Sequence, residues 1–234
     1  MLELLRNKRI LVVAAHPDDE LLGLGGTVNR FSRSSVIRAV ILGEGITSRS
    51  AKRNTVIHRE DLMEHSSDTT RACSRVGYSS FHCYDFPDNR FDGVDLLEIV
   101  KVIEDEIEKF NPDFVLTHHN GDVNIDHKCT YEAVIPAIRP LPGKKRIGLI
   151  TFETPSSTEY QSPDYHSTFK PNLFVKLSAQ NIEAKIQGME CYRFEKRPYP
   201  HPRSPQALSI IAQRWGLYIG EEFAEAFRVE KLYL

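Results

Sequence analysis

Ile10-Leu11-Val12-Val13-Ala14-Ala15-His16-Pro17-Asp18-Asp19-Glu20-Leu21-Leu22-Gly23-Leu24-Gly25-Gly26 is the stretch around which the chain is organised. Ile10 to Ala14 run apolar without alternation, the pattern of a strand buried on both faces in a parallel sheet. One imidazole and three carboxylates then leave the strand end together. Acidic residues in the first turn of a following helix suit its dipole. Burying such a cluster without a cation is costly, because unpaired carboxylates repel and lose solvation. A bound divalent metal removes the difficulty. His and Asp are ordinary zinc ligands, and a spare carboxylate can act as a general base. The plainer reading, an acidic helix start with a solvated His16, is decided by the rest of the chain.

Further units repeat the pattern. Glu20 to Arg33 reads as one helix, and Val36 to Leu42 as a second strand. Thr55 to Val76 is helical, with His58 and His65 expected at its surface. Phe81 to Tyr84 is a third strand, Leu96 to Phe110 an amphipathic helix, and Phe114 to Leu116 a fourth strand. A second polar cluster follows, Thr117-His118-His119-Asn120-Gly121-Asp122-Val123-Asn124-Ile125-Asp126-His127, and then a helix over Lys128 to Ile138. Repeated strand, loop and helix units imply a mainly parallel sheet with helices on both faces. Loops after the carboxyl ends of such strands gather on one edge, so the two clusters are predicted to meet. Gly23, Gly25 and Gly26 lack the spacing of a dinucleotide loop and lie inside the helix, so no dinucleotide site is expected.

Past the basic connector Arg139 to Arg146 come a strand at Ile147 to Phe152, another at Asn172 to Val175, and helices over Ser178 to Tyr192 and Pro205 to Tyr218. Phe223 to Tyr233 is expected as an edge strand. Ser156 has no nucleophile elbow around it and reads as a turn or substrate contact. Tyr199-Pro200-His201-Pro202-Arg203-Ser204 is a rigid loop that exposes a His and an Arg.

Composition narrows the class. The 234 residues are 41% hydrophobic with a net charge of −2. That suits one α/β domain over 1–234, with a metal-binding core over about 1–140 and a substrate-shaping part over about 141–234. The mild acidity argues against nucleic acid as a partner. No run of about 18 apolar residues spans a membrane. Met1 to Arg9 has no apolar segment of a secretory signal. Cys73, Cys83, Cys129 and Cys191 are scattered, which points to a reducing cytoplasm. A homo-oligomer stays open.

A-H-P-D-D-E after the first strand and D-x-N-x-D-H after the fourth resemble the LmbE-like (PIG-L) family of zinc-dependent N-deacetylases. The resemblance runs from Arg9 to about Pro140. The later segments F-E-T-P-S-S-T-E-Y, P-H-P-R-S and A-E-A-F look like a bacterial branch associated with sugar and surface-polysaccharide pathways. The family implies a Rossmann-like three-layer sandwich and removal of acetyl groups from N-acetylated amino sugars, free or nucleotide-linked. It implies one Zn²⁺ held by His16, Asp19 and His127, with Fe²⁺ or Co²⁺ as substitutes on the same donors. Asp18 matches its general base, and Asp126 the carboxylate that orients the catalytic histidine or substrate. Where the family often has a histidine this chain has Asn124, which can donate a hydrogen bond to an oxyanion but supplies no proton near neutral pH. The proton for the leaving amine then falls to Asp18 as a shuttle, helped by His201; His118 and His119 are the other imidazoles in reach of the role. Arg49, Arg53 and Arg203 are candidates for gripping a phosphate, and Glu44 and Asp88 for sugar hydroxyls. Two other readings remain: a metal-free or inactive sugar or nucleotide binding module of the same fold, and a metallohydrolase of another ester or amide.

Overall fold

The computed structural model describes residues 4–233; residues 1–3 of the Met1–Arg9 stretch and residue 234 lie outside it. The elements, in chain order, are β1 (Arg9–Ala14), α1 (Asp19–Leu22), α2 (Gly25–Phe31), β2 (Val36–Gly43), α3 (Arg59–Val76), β3 (Ser80–Phe86), α4 (Leu96–Phe110), β4 (Phe114–His118), α5 (Ile125–Ala137), β5 (Gly148–Phe152), β6 (Leu173–Leu177), α6 (Ala179–Met189), α7 (Pro205–Ile219) and β7 (Phe223–Lys231). The strands form one sheet in the order β3-β2-β1-β4-β5-β7-β6. Strands β1 to β5 pair in parallel.

Burial explains the apolar run of β1. Ile10 and Val12 enter a core under α1, α2, α3, α6 and α7. Leu11 and Val13 enter the opposite core, under α4 and α5. The strand therefore buries both faces, and the expected three-layer α/β arrangement is the one present. The order of the sheet reverses between β1 and β4, which opens a crevice outside their carboxyl ends. His16 to Glu20 leave β1 at that point, and His119 to Asn124 leave β4. None of the described helices is long and apolar enough to cross a membrane.

Three expectations need correction. The helix read over Glu20 to Arg33 is two helices broken at Gly23 and Leu24. Gly23 lies against the Phe152 ring so closely that a Cβ there would stand 2.3 Å from it. The break is held from outside: Lys185 Nζ donates to Leu22 O at 2.8 Å, and the Glu225 carboxylate accepts the N–H groups of Gly26 and Thr27 at 3.1 and 2.7 Å. Second, β7 is not an edge strand. It runs antiparallel between β5 and β6, because Phe223 to Phe227 are buried on both faces and need a neighbour on each side. Third, His65 is buried. It belongs to a stripe of α3 with Asp68, Thr69, Ala72, Cys73 and Val76 that faces the core, and its ring packs against Tyr192 and Phe194. His58, nearer the surface, bonds Ser50 Oγ at 2.8 Å.

The Lys185–Glu225 pair is buried on both sides, at 6% and 5% side-chain exposure, with 2.7 Å between the charges. Removing one partner strands the other charge in the core. Glu225→Ala should lower the free energy of unfolding by about 3–5 kcal/mol. A urea melt with an unchanged midpoint would contradict this.

Candidate metal centre and active-site cleft

The loop after β1 turns sharply. Asp18 adopts φ of 110°, a conformation rare outside glycine. Its N–H donates to Glu20 Oε2 at 2.9 Å, and Glu20 Oε1 accepts the Tyr192 hydroxyl at 2.5 Å. Adjacent aspartates thus diverge. Asp19 turns inward, with Oδ2 accepting the His16 N–H at 2.9 Å. Asp18 lines the cleft. The neighbouring loop after β2 passes beneath through Gly45, at φ 73°, where a Cβ would meet Pro17 at 2.8 Å.

The two polar clusters meet. His16 Nδ1 lies 3.3 Å from Asp19 Oδ2, and His127 Nε2 lies 3.2 Å from the same oxygen. All three donors fall within 4.8 Å of one another. Donors at about 2.0–2.1 Å from a tetrahedral ion stand roughly 3.4 Å apart, so the spacing fits a shared cation. Each histidine presents its other nitrogen to a buried carboxylate. His16 Nε2 meets Asp126 Oδ2 at 2.8 Å, and His127 Nδ1 faces Asp122 Oδ2 at 3.2 Å. Such carboxylate partners fix the ring orientation of metal-binding histidines. His127 Nε2, the nitrogen turned to Asp19, is buried without a hydrogen bond of good geometry, as suits an atom aimed at an ion.

The electrostatics point the same way. Burial opposes a charge on His127, yet Asp19 and Asp122 outweigh it and raise its pKa to about 9. Burial likewise opposes the charge on His16, and its bonds to Asp126 and Asp19 raise the pKa well above the usual value. Burial would raise Asp19, but His127 and His118 hold it well below the usual carboxylate range. The centre stabilises positive charge at the point where the three donors converge. A second group, His16 with Asp88 and Asp126, is also close-set. There, both Asp126 oxygens already accept backbone N–H groups, from Asn89 at 2.6 Å and Phe91 at 2.9 Å.

A cleft of about 340 Å³ opens beside the three donors, and His16, Asp18, Asp88, Asn124, His127 and His201 are among its lining residues. A larger hollow of about 910 Å³ beside β6 contains a single carboxylate, Glu221, and no histidine. Of the other candidates, Arg49 and Arg203 line the cleft and both bond Glu195, at 2.5 Å each. Arg53 and Glu44 are turned to each other at 2.8 Å and stand outside the lining. Asp88 is used inside the protein, with Oδ2 accepting the Ser48 N–H at 3.2 Å and Oδ1 3.4 Å from His16 Nε2. Asp126 is fully buried behind His16, where it braces that ring rather than facing the cleft. Asn124 caps α5 by accepting the Asp126 N–H at 2.8 Å, and its amide donates to Asn89 Oδ1 at 3.2 Å.

The imidazoles separate as well. His118 Nε2 accepts the Ala15 N–H at 2.9 Å, and its ring stacks on His127 at 3.9 Å. Burial, with His127 beside it, lowers its pKa to about 3, so it is no proton donor. His119 lies outside the cleft, with Nε2 2.9 Å from Ser167 O. His201 is in the cleft, its Nδ1 accepting the Arg203 N–H at 3.1 Å. Sequence reading quoted Asp122 within the second cluster but gave it no role, and it missed Glu195 and Arg197. Asp122 was within reach, as a second carboxylate five positions before His127; Glu195 and Arg197 carry no local signal.

The sequence pattern of the family described as GlcNAc-PI de-N-acetylase (PIG-L) matches residues 11–138. The chain belongs to the PIG-L family. It is similar to the diacetylchitobiose deacetylase of Thermococcus kodakarensis, at 26% identity over 94% of this chain and 82% of that protein. Its fold is that of the N,N'-diacetylchitobiose deacetylase from Pyrococcus horikoshii, with a TM-score of 0.74, 19% identity and coverage of 95% of this chain and 84% of that one. GalB, the 4-carboxy-2-hydroxymuconate hydratase from Pseudomonas putida KT2440, shares the fold at a TM-score of 0.75 and 18% identity, covering 96% and 97% of the two chains.

Removing the carboxylate behind His127 should loosen the metal without deleting a ligand. Asp122→Asn is expected to weaken binding by about 10–100-fold. Competition with a chelator measures this, and wild-type affinity in the variant would contradict the assignment.

Proposed function

We propose that the protein is a zinc-dependent hydrolase that removes the acetyl group from an N-acetylated amino sugar, or from its nucleotide-linked form, giving a free amine and acetate. The observation that carries this reading is the convergence of His16, Asp19 and His127 at a cleft that Asp18 lines. Family membership and the deacetylase relatives support it. Because fold alone is shared with a hydratase, the chemistry is argued from the site.

His16, Asp19 and His127 would hold the zinc, which would supply Lewis acidity and lower the pKa of water toward about 7. Iron or cobalt suits the same donors. Asp18 accepts the proton of the attacking water at the cleft and returns it to the departing amine. Burial raises the Asp18 pKa well above the usual value, with Arg203 pulling the other way. A carboxylate tuned upward suits a group that must both take and give a proton near neutrality. His201, the cleft imidazole outside the three-donor group, assists the amine. Asn124 lines the cleft with its amide donating to Asn89 Oδ1, and this amide is the side-chain donor the reading assigns to the oxyanion. Asp126 and Asp122 hold the two histidines.

The C-terminal part shapes the substrate, since Ser156, Ser157, Glu195, Arg197, His201 and Arg203 all line the cleft. Arg49 is the substrate contact offered by the first part of the chain. The four cysteines are free, which fits the cytoplasmic location this reading assigns. A metal-free binding module would have no need of His127 aimed at Asp19 with its Nε2 unbonded.

Asp18→Asn should keep one metal ion per chain and lose about 10²–10⁴-fold in turnover. Acetate release from a panel of N-acetylated sugars, with metal content measured on the same samples, tests both statements. Full activity in this variant, or acetate release that survives chelation in the wild type, would overturn the proposal.

A further inference from the structure

Arg203 and Asp18 are far apart in sequence and meet at the cleft. Arg203 Nη1 lies 2.9 Å from Asp18 Oδ2 and 2.5 Å from Glu195 Oε2. Its Nε donates to Ser156 Oγ at 2.7 Å. The loop that delivers it is pinned. Arg203 N–H donates to His201 Nδ1 at 3.1 Å, and the next residue, Ser204, caps α7 by accepting the Ala207 N–H at 3.2 Å. Among the described residues no other cation stands within ion-pair distance of Asp18, whose side chain is 2% exposed.

Arg203 also joins two unusual turns. Asp18 and Ser156 both adopt positive φ, at 110° and 77°. Strained conformations of this kind persist where the surroundings over-determine them, and they gather at functional sites. Glu20 accepts the Asp18 N–H and fixes the backbone, which leaves the side-chain torsions to the groups that face the carboxylate. The guanidinium holds Oδ2 by charge, at ion-pair distance and without a hydrogen bond of good geometry, and so biases the direction in which the other oxygen points. A guanidinium can do this while holding Glu195 and Ser156 because its donors form a rigid fork.

We propose that Arg203, braced by Glu195 and Ser156, is a positioning residue that sets the orientation of the Asp18 carboxylate. The proposal rests on the reading of Asp18 as the proton acceptor. A misdirected base loses rate without losing substrate, and a displacement of about 1 Å costs on the order of 100-fold.

The test is kinetic and structural together, on the metal-loaded full chain and the N-acetylated sugar from which the wild type releases acetate. Arg203→Ala should lower kcat by about 100-fold, with KM near the wild-type value and one metal ion still bound. Millimolar guanidinium chloride should restore a large part of the loss, and Arg203→Lys should recover little. Unchanged kcat, a loss confined to KM, or no restoration by guanidinium overturns the proposal. Melting of the metal-free protein gives an independent arm. Asp18→Asn introduced into Arg203→Ala should recover stability, because it removes the carboxylate left alone; simple addition of the two losses contradicts the pairing. If the wild type releases no acetate from any sugar, the deacetylase reading fails, and the melting cycle alone decides whether Arg203 holds Asp18.

Discussion

One oxygen, Asp19 Oδ2, with an imidazole nitrogen on either side, is the point on which this molecule depends. It lies 3.3 Å from His16 and 3.2 Å from His127. Buried carboxylates at such a point are unstable unless something positive joins them. The rest of the structure answers that demand. The sheet brings the ends of β1 and β4 side by side, at the reversal of strand order. Asp126 and Asp122 stand behind the two histidines and hold each ring with one nitrogen toward Asp19.

Around this point the chain separates tasks that its sequence places side by side. Asp18 and Asp19 are neighbours, yet the positive φ of Asp18 sends one to the cleft and the other toward His16 and His127. The two halves of the chain then contribute differently. The first carries His16, Asp18, Asp19 and His127 with one side of the cleft, and the second closes the other side with Ser156, Ser157, Glu195, Arg197, His201 and Arg203. Glu195 ties the two together by accepting from Arg49 and Arg203, and Arg203 carries the contact across to Asp18.

Much of this was legible in residues 10–127. An unbroken apolar strand that ends in charged residues is a strong signal, and two such strands in a parallel sheet have to bring their loops together. The limits are equally physical. The split of the first helix depends on Lys185 and Glu225, which reach Leu22 and Gly26 from more than 160 positions away. His65 looked like a surface residue because its neighbours are charged, but the buried stripe of α3 is itself polar. Arg53 and Glu44 looked like substrate contacts because they follow a strand; they turn to each other instead, outside the cleft lining. β7 looked like an edge because it is last in the chain, whereas Phe223 and Phe227 bury it.

The central claim is that His16, Asp19 and His127 share a single ion. Anomalous diffraction at the zinc edge from crystals grown with zinc tests it most directly. The account predicts one peak about 2.0–2.2 Å from all three residues. A peak held instead by His16, Asp88 and Asp126, or none near Asp19, would contradict it.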